Sequence, residues 1–346
     1  MTPPYKQKPV ISFCLSTYKR PDILKSTLES IQRQNFQDFE VIVSDNDVEE
    51  SGRMPIAKLE DTRFKYFPNR TDLGMKKSFS KSVERSTGEF IVMMADDDPV
   101  YFNMATTLVD LSKKHPNYGV YMGGCDWFCI DAELSKMYGL NVGSNSCLSN
   151  EHDLDSVQVY NANEFLLNFF SFKIFPHYLW STCMVRKTVL IDKGGIPEYG
   201  TPFLGDYAYL SIMASHSGCI VINKSLGCQT VHRENFGRNQ EEQIITAAKN
   251  FPDYLSKKLN HLPSWLLIRE QMLKFTGLWV TNHLAFLHNY FKRSEEKKDF
   301  KNIEREIFKL PFVKKYKLKY FLKKYSPLFH DQLVLLKKKY SLTDSY

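Results

Sequence analysis

Three consecutive carboxylates, Asp96, Asp97 and Asp98, follow directly on the apolar run Phe90-Ile91-Val92-Met93-Met94. That run does not alternate, so it reads as a strand buried on both faces. The acids then stand at the strand's carboxyl end, where open α/β sheets bind ligands. Two like charges about 5 Å apart in a partly screened site repel by roughly 3 kcal/mol. Such a cluster favours a cation. Oxygen ligands suit Mg²⁺ or Mn²⁺, with Mg²⁺ usually held between one or two carboxylates and substrate phosphates. The plain alternative is a solvated acidic loop, which the buried run in front of it disfavours.

Positioning such a cluster takes a sheet. Val10 to Leu15 reads as a buried strand, followed by the turn Ser16-Thr17-Tyr18-Lys19-Arg20-Pro21-Asp22. A helix is expected from Pro21 to about Gln34, with Ile23, Leu24, Leu28 and Ile31 on one face and Pro21 in its first turn. Phe39 to Ser44 forms a second strand ending in Asp45, and Phe64 to Phe67 a short third one. Helical segments to Arg85 and from Phe102 to His115 flank the acid-tipped strand, and Val120 to Met122 begins another. This βαβα order predicts a mostly parallel sheet with helices on both faces. From Cys129 to about Asn163 the pattern is weak and polar, read as a long excursion over a pocket. Order returns at Trp180 to Val185 and Phe203 to His216, and beyond about Asn235 the chain looks helical, aromatic and basic. Tyr316 to Tyr320 alternates like a strand between helix-like flanks.

The 346 residues suit one large domain with an appendage, or two domains: 1–235 and a C-terminal region 236–346. Seven cysteines without paired short spacings read as reduced thiols in a cytosolic protein. The first residues run straight into a strand, with no secretory signal expected. Trp265 to Phe291 is interrupted by Arg269, Glu270 and Lys274, so no membrane span is expected. The net charge of +7 is unevenly spread. From Lys292 onward sixteen Lys or Arg face seven Asp or Glu, leaving the rest slightly acidic. A cationic, aromatic tail fits an anionic membrane surface on the inner face of the cytoplasmic membrane, or alternatively an oligomerisation module. No recognised nucleic-acid motif accompanies the charge, so nucleic acid is not the expected partner.

The stretches VISFCLSTYKRPDILKSTLESIQRQ, FEVIVSDND, NRTDLG, GEFIVMMADDD, GGIPE and FLGDYAYLSIMASHSGCIVI stand in one order. On them, residues 10 to about 235 resemble an inverting family 2 glycosyltransferase of the GT-A fold, similar to enzymes that build bacterial O-antigen and capsule repeat units. The resemblance implies a Rossmann-like, mostly parallel mixed sheet flanked by helices. It also implies a nucleotide-sugar donor, UDP-linked by expectation, and a glycan or lipid-linked acceptor.

Residue by residue, it assigns nucleotide recognition to Thr17, Tyr18, Arg20, Asp45 and Lys77, with Asp96 or Asp97 holding ribose or a metal water. Asp98, with Asp96 and His232, would hold Mn²⁺ or Mg²⁺. Arg233 and Arg238 would meet the diphosphate, and Trp180 and Tyr178 the acceptor sugar, although either ring could be core. Asp206 aligns with the second acid of the family's ED pair and would be the general base. Gly205 stands where the first acid is usual, and Ala95 where the metal motif often has one more. Two rivals remain at this stage. A metal-dependent nucleotidyltransferase would need a Gly-rich triphosphate loop, and Ser16 to Asp22 has no Gly. A non-catalytic scaffold would keep the fold and bind a partner through the tail.

Overall fold

The strands that carry the site are apolar at nearly every position because both faces of the sheet are covered. The computed structural model describes residues 8–148, 152–174, 177–235, 240–293 and 298–325. Strands β1 (Ile11–Thr17), β2 (Phe39–Asp45), β3 (Phe64–Pro68) and β4 (Phe90–Ala95) pair in parallel in the order β3-β2-β1-β4. Alternate residues serve two cores. Phe13, Leu15, Val41, Val43, Val92 and Met94 pack under α1 (Pro21–Gln32) and α4 (Met104–Lys114). Cys14, Ile91 and Met93 face the other layer, with α3 (Met75–Arg85), α6 (Ala162–Phe170) and α8 (Gly205–Ser217). Leu24, Leu28 and Ile31 of α1 are fully buried, each contributing about 1.5–3 kcal/mol.

Beyond β4 the sheet becomes mixed. β8 (Cys183–Arg186) runs antiparallel between β4 and β5 (Val120–Cys129), and β9 (Cys219–Val231) lies parallel to β5. The 129–163 excursion is more ordered than its composition suggests. Asp131 caps α5 (Ala132–Tyr138) by accepting from the N–H groups of Glu133 and Leu134, and left-handed Gly139 ends it. β6 (Gly143–Asn145) and β7 (Val157–Tyr160) then add antiparallel edges to β5 and β9. All seven cysteines are free thiols.

The expected division at 235 meets no break in packing. Phe251, Leu255 and Leu259 of α9 (Gln243–Leu259) share the sheet's core with Ile268, Met272 and Phe275 of α10 (Trp265–Arg293). Only further along α10, from Val280 to Phe291, does a separate cluster form with α11 (Lys301–Ile307), α12 (Pro311–Lys314) and α13 (Lys317–Tyr325). The strand-like 316–320 stretch is therefore a helix. Tyr320 and Lys324, four residues apart, both reach Glu304, and this shared anchor fixes the helical period over the alternation. Residues 326–346, the end of the basic tail, lie outside the described residues. Among the described helices, none is long and apolar enough to cross a membrane.

At the amino end of the sheet, opposite the acid cluster, Glu40 ties four segments together. Its carboxylate accepts from Ser12 Oγ at 2.7 Å and Thr87 Oγ1 at 2.9 Å, and pairs with Lys65. Burial opposes its charge, but Lys65, Ser12 and Thr87 outweigh that and bring the carboxyl down to about 2. A carboxyl depressed on folding adds stability above its unfolded value and loses it as pH falls through about 2. Glu40→Gln is expected to lose about 2 kcal/mol at neutral pH, discounted because Lys65 is half-exposed. Urea midpoints at pH 7 and pH 3 check this: the gap between variant and parent should narrow at the lower pH.

Candidate active site

β1 lies between β2 on one side and β4 on the other, so the helical crossovers diverge there and leave a crevice at the strand ends. Thr17 closes β1 beside Asp45 of β2, and Ser16 pairs with Ala95 of β4. The crevice thus opens onto Asp96, Asp97 and Asp98, all buried.

Each of the three acids is held differently. Asp96 accepts from Thr17 Oγ1 at 2.7 Å and from the Arg20 guanidinium, while its backbone carbonyl accepts from Thr27 Oγ1 at 2.9 Å. Burial pushes its carboxyl up to about 6 against the pull of Arg20. Asp97 accepts from Arg20 Nη1 at 3.0 Å, lies 3.1 Å from His232 Nε2, and receives Asn235 Nδ2 at 3.4 Å. Burial alone would raise Asp97; the His232 contact and Arg20 overcome it and hold the carboxyl below its ordinary value. Asp98 has no hydrogen-bond donor among the described residues, and burial, then the charges of Asp97, Asp206 and Asp96, push its carboxyl well up.

Asp206 faces this cluster from α8. Residues 208–215 of α8 are buried on every side, which fixes its first turn rigidly. Leu204, in a left-handed conformation (φ 63°), starts that turn and leaves Asp206 on it. The Trp180 N–H approaches Asp206 Oδ1 at 3.4 Å. Asp206 is partly buried. Burial pushes its carboxyl up to about 6, against the Trp180 N–H. A cavity of about 380 Å³ adjoins it, lined by residues including Gly74, Lys77, Trp180, Glu198 and Gly205.

The sequence-based residues fall into three groups. Thr17, Arg20, Asp96, Asp97, Asp98, Asp206 and His232 converge on the crevice. Lys77 and Trp180 line the adjoining cavity, while Tyr18 is exposed at the crevice turn. Of the others, three have partners within the protein. Asp45 is fully buried and accepts from the N–H groups of Asp47 and Gly52 and from Tyr66 OH, so it organises the turn after β2. The Arg233 guanidinium is paired with Asp131, the cap of α5 (2.6 Å), and with Glu133 on that helix (2.8 Å). Tyr178 is core, packed against Phe169 and Tyr207. Arg238 lies outside the described residues.

Sequence reasoning missed Asn235, Thr27 and the polar tip of β2, where Asn69 bonds both Asn46 and Ser44. Asn235 had one available signal, its place three residues beyond His232 in the turn after the last core strand.

The residues expected to hold a metal, Asp98, Asp96 and His232, have different surroundings here. Asp96 is engaged by Thr17 and Arg20, and His232 is turned to Asp97. Among the described residues, no three His, Cys, Asp or Glu side chains form a ready-made ligand group. Asp98, buried among like charges without a donor, nevertheless fits a divalent cation. Mg²⁺ needs only one or two protein carboxylates when phosphates and water supply the rest.

A mostly parallel sheet flanked by helices, its crevice tipped with acids and faced by one further carboxylate, is the architecture of the GT-A transferases. Residues 12–192 match the family described as Glycosyl transferase family 2, and the chain belongs to it. It is 25% identical over 247 residues to the GalNAc(5)-diNAcBac-PP-undecaprenol beta-1,3-glucosyltransferase of Campylobacter jejuni, spanning 70% of this chain and 69% of that one. It is 21% identical over 213 residues to the Escherichia coli UDP-Glc:alpha-D-GlcNAc-diphosphoundecaprenol beta-1,3-glucosyltransferase WfgD, spanning 60% and 71%. In fold it is similar to S. aureus TarS 1-349 in complex with UDP-GlcNAc, with a TM-score of 0.57, 13% identity and 88% and 79% of the two chains covered. It is also similar to the mannosyltransferase PcManGT from Pyrobaculum calidifontis in complex with GDP-Man and Mn²⁺, with a TM-score of 0.52, 12% identity and 92% and 86% covered.

Proposed function

We propose that this chain is an inverting glycosyltransferase that moves a sugar from a UDP-linked donor to a hydroxyl of a lipid-linked surface-glycan acceptor. The observation that carries the reading is Asp206, fixed on the first turn of buried α8 and facing Asp98 across the crevice. Asp206 takes the proton from the acceptor hydroxyl as that oxygen attacks the anomeric carbon. The new C–O bond forms on the face opposite the diphosphate, the bond from that carbon to the diphosphate oxygen breaks, and UDP leaves with the electron pair. Asp98 would hold Mg²⁺ or Mn²⁺, which when bound would supply Lewis-acid stabilisation of the charge growing on the diphosphate.

Arg20 clamps Asp96 and Asp97 so that the crevice keeps its shape without the donor. The curated relatives, named for undecaprenyl-linked acceptors, support the lipid-linked class. Exposed Leu318, with the exposed Lys314, Lys315 and Lys317 within four residues of it, supports peripheral attachment to an anionic bilayer.

The test is incubation of the purified protein and Mn²⁺ with a panel of UDP-sugars and an N-acetylhexosamine linked through diphosphate to a short lipid. UDP release and a product of anomeric configuration opposite to the donor's are expected, read from NMR coupling constants. Retained configuration sinks the single displacement. Pyrophosphate release from a nucleoside triphosphate would establish the nucleotidyltransferase instead.

A further inference from the structure

Three glycines line the cavity beside Asp206, and the backbone accounts for two of them. Gly74 (φ 73°) and Gly200 (φ 87°) stand in the left-handed region that side chains rarely adopt. Gly205 has no such reason. It opens α8 without a positive φ, and a Cβ built on it meets no described atom within 4 Å. Packing therefore does not call for glycine either, and a helix is less stable with glycine than with alanine. What the missing side chain leaves is open space in the cavity wall.

That space is tied to the reacting carboxylate on two sides. Gly205 precedes Asp206 in the first turn of α8. Trp180, whose N–H approaches Asp206 Oδ1 at 3.4 Å, lines the same cavity, with Phe79 packed edge-on against it at 4.8 Å. The charged lining residues are the outer ones: Lys77 and Glu198 are exposed, and half-exposed Lys76 lies 3.7 Å from Glu198. The buried ones, Phe79, Ile196 and Thr201, carry no charge. An apolar wall with a hydroxyl suits a neutral substituent that combines a methyl with an amide, rather than a carboxylate or phosphate. A bare hydroxyl would leave most of the roughly 380 Å³ empty.

We infer that Gly205 leaves room for an acetamido group on a sugar held beside Asp206, and so selects acetamido sugars over plain hexoses. The inference rests on the transferase reading given above, and its test separates the two. The group can arrive on the donor or on the acceptor, so both are probed in matched pairs. The donors are UDP-N-acetylglucosamine and UDP-glucose. The acceptors are N-acetylglucosamine and glucose, each linked through diphosphate to a phenoxyundecyl chain, and both pairs are repeated in the galacto configuration.

In one pair the parent is expected to favour the acetamido member at least tenfold in kcat/KM. Gly205→Val should bring that preference below twofold by slowing the acetamido substrate alone. Gly205→Ala should fall between and melt at or above the parent. The pair that responds identifies the source of the group. Equal slowing of both members, or a preference undiminished in Gly205→Val, overturns the inference.

Saturation-transfer NMR gives a readout that needs no turnover. Transfer to the acetamido methyl in the parent, lost in Gly205→Val while the uridine or phenoxy signals persist, upholds the pocket even if no sugar is moved. Absence of methyl transfer from every probe in the parent overturns it, as does methyl transfer unchanged in Gly205→Val.

Discussion

Asp206→Asn is expected to lower kcat by about 10²–10⁴-fold, the usual contribution of a positioned general base. The substitution keeps size and the approach of the Trp180 N–H, so the thermal shift given by UDP with Mn²⁺ should stay within a degree of the parent's. The same residue sets the pH profile. Burial pushes its carboxyl up to about 6, and only the ionised form can accept a proton. Parental kcat/KM should therefore rise about tenfold per pH unit below 6 and level off above, read from initial rates between pH 5 and 8. In Asp206→Asn that limb should vanish. A variant turning over at the parental rate would remove the base assignment.

Asp98→Ala is expected to abolish the response of turnover to Mn²⁺ and to cost about 10³-fold in kcat, several kcal/mol of lost charge stabilisation. Two effects oppose each other in this variant. Removing a buried acid from among Asp96, Asp97 and Asp206 relieves repulsion, so the free protein should melt higher than the parent. The UDP-dependent shift, however, should no longer grow when Mn²⁺ is added. A metal titration of activity, with melting curves beside it, separates the two. An undiminished Mn²⁺ response would move the cation site elsewhere, with Asp97 the next candidate.

What could be read from residues alone follows from the range of the forces involved. β1, β2 and β4 are legible because burial on both faces demands unbroken apolar runs, and α1 because Leu24, Leu28 and Ile31 repeat at the helical period. The acids at the strand ends follow from the same logic. Arg20 stayed ambiguous because its partners lie 76 and 77 positions away, and no local pattern reports such a pairing. Asp45 looked like a ligand contact because a carboxylate at a strand end has that appearance. Whether Gly52 and Tyr66 come back to bond it depends on the path of the intervening turn. The order within 129–163 escaped because short edge strands carry little periodicity, although Asp131 and Gly139 were cap signals in plain view. Trp180 and Tyr178 carried the same two readings, acceptor contact or core, and only packing separates them: Trp180 lines the cavity and Tyr178 is core.

The Arg20 clasp has a kinetic corollary. With its guanidinium shared between Asp96 and Asp97, the mouth presents roughly two uncompensated negative charges to an incoming diphosphate rather than three. A cation-bound donor is itself close to neutral, so long-range attraction and repulsion both fade from the encounter. Capture is then governed by fit at short range, and ionic strength should barely touch the association rate.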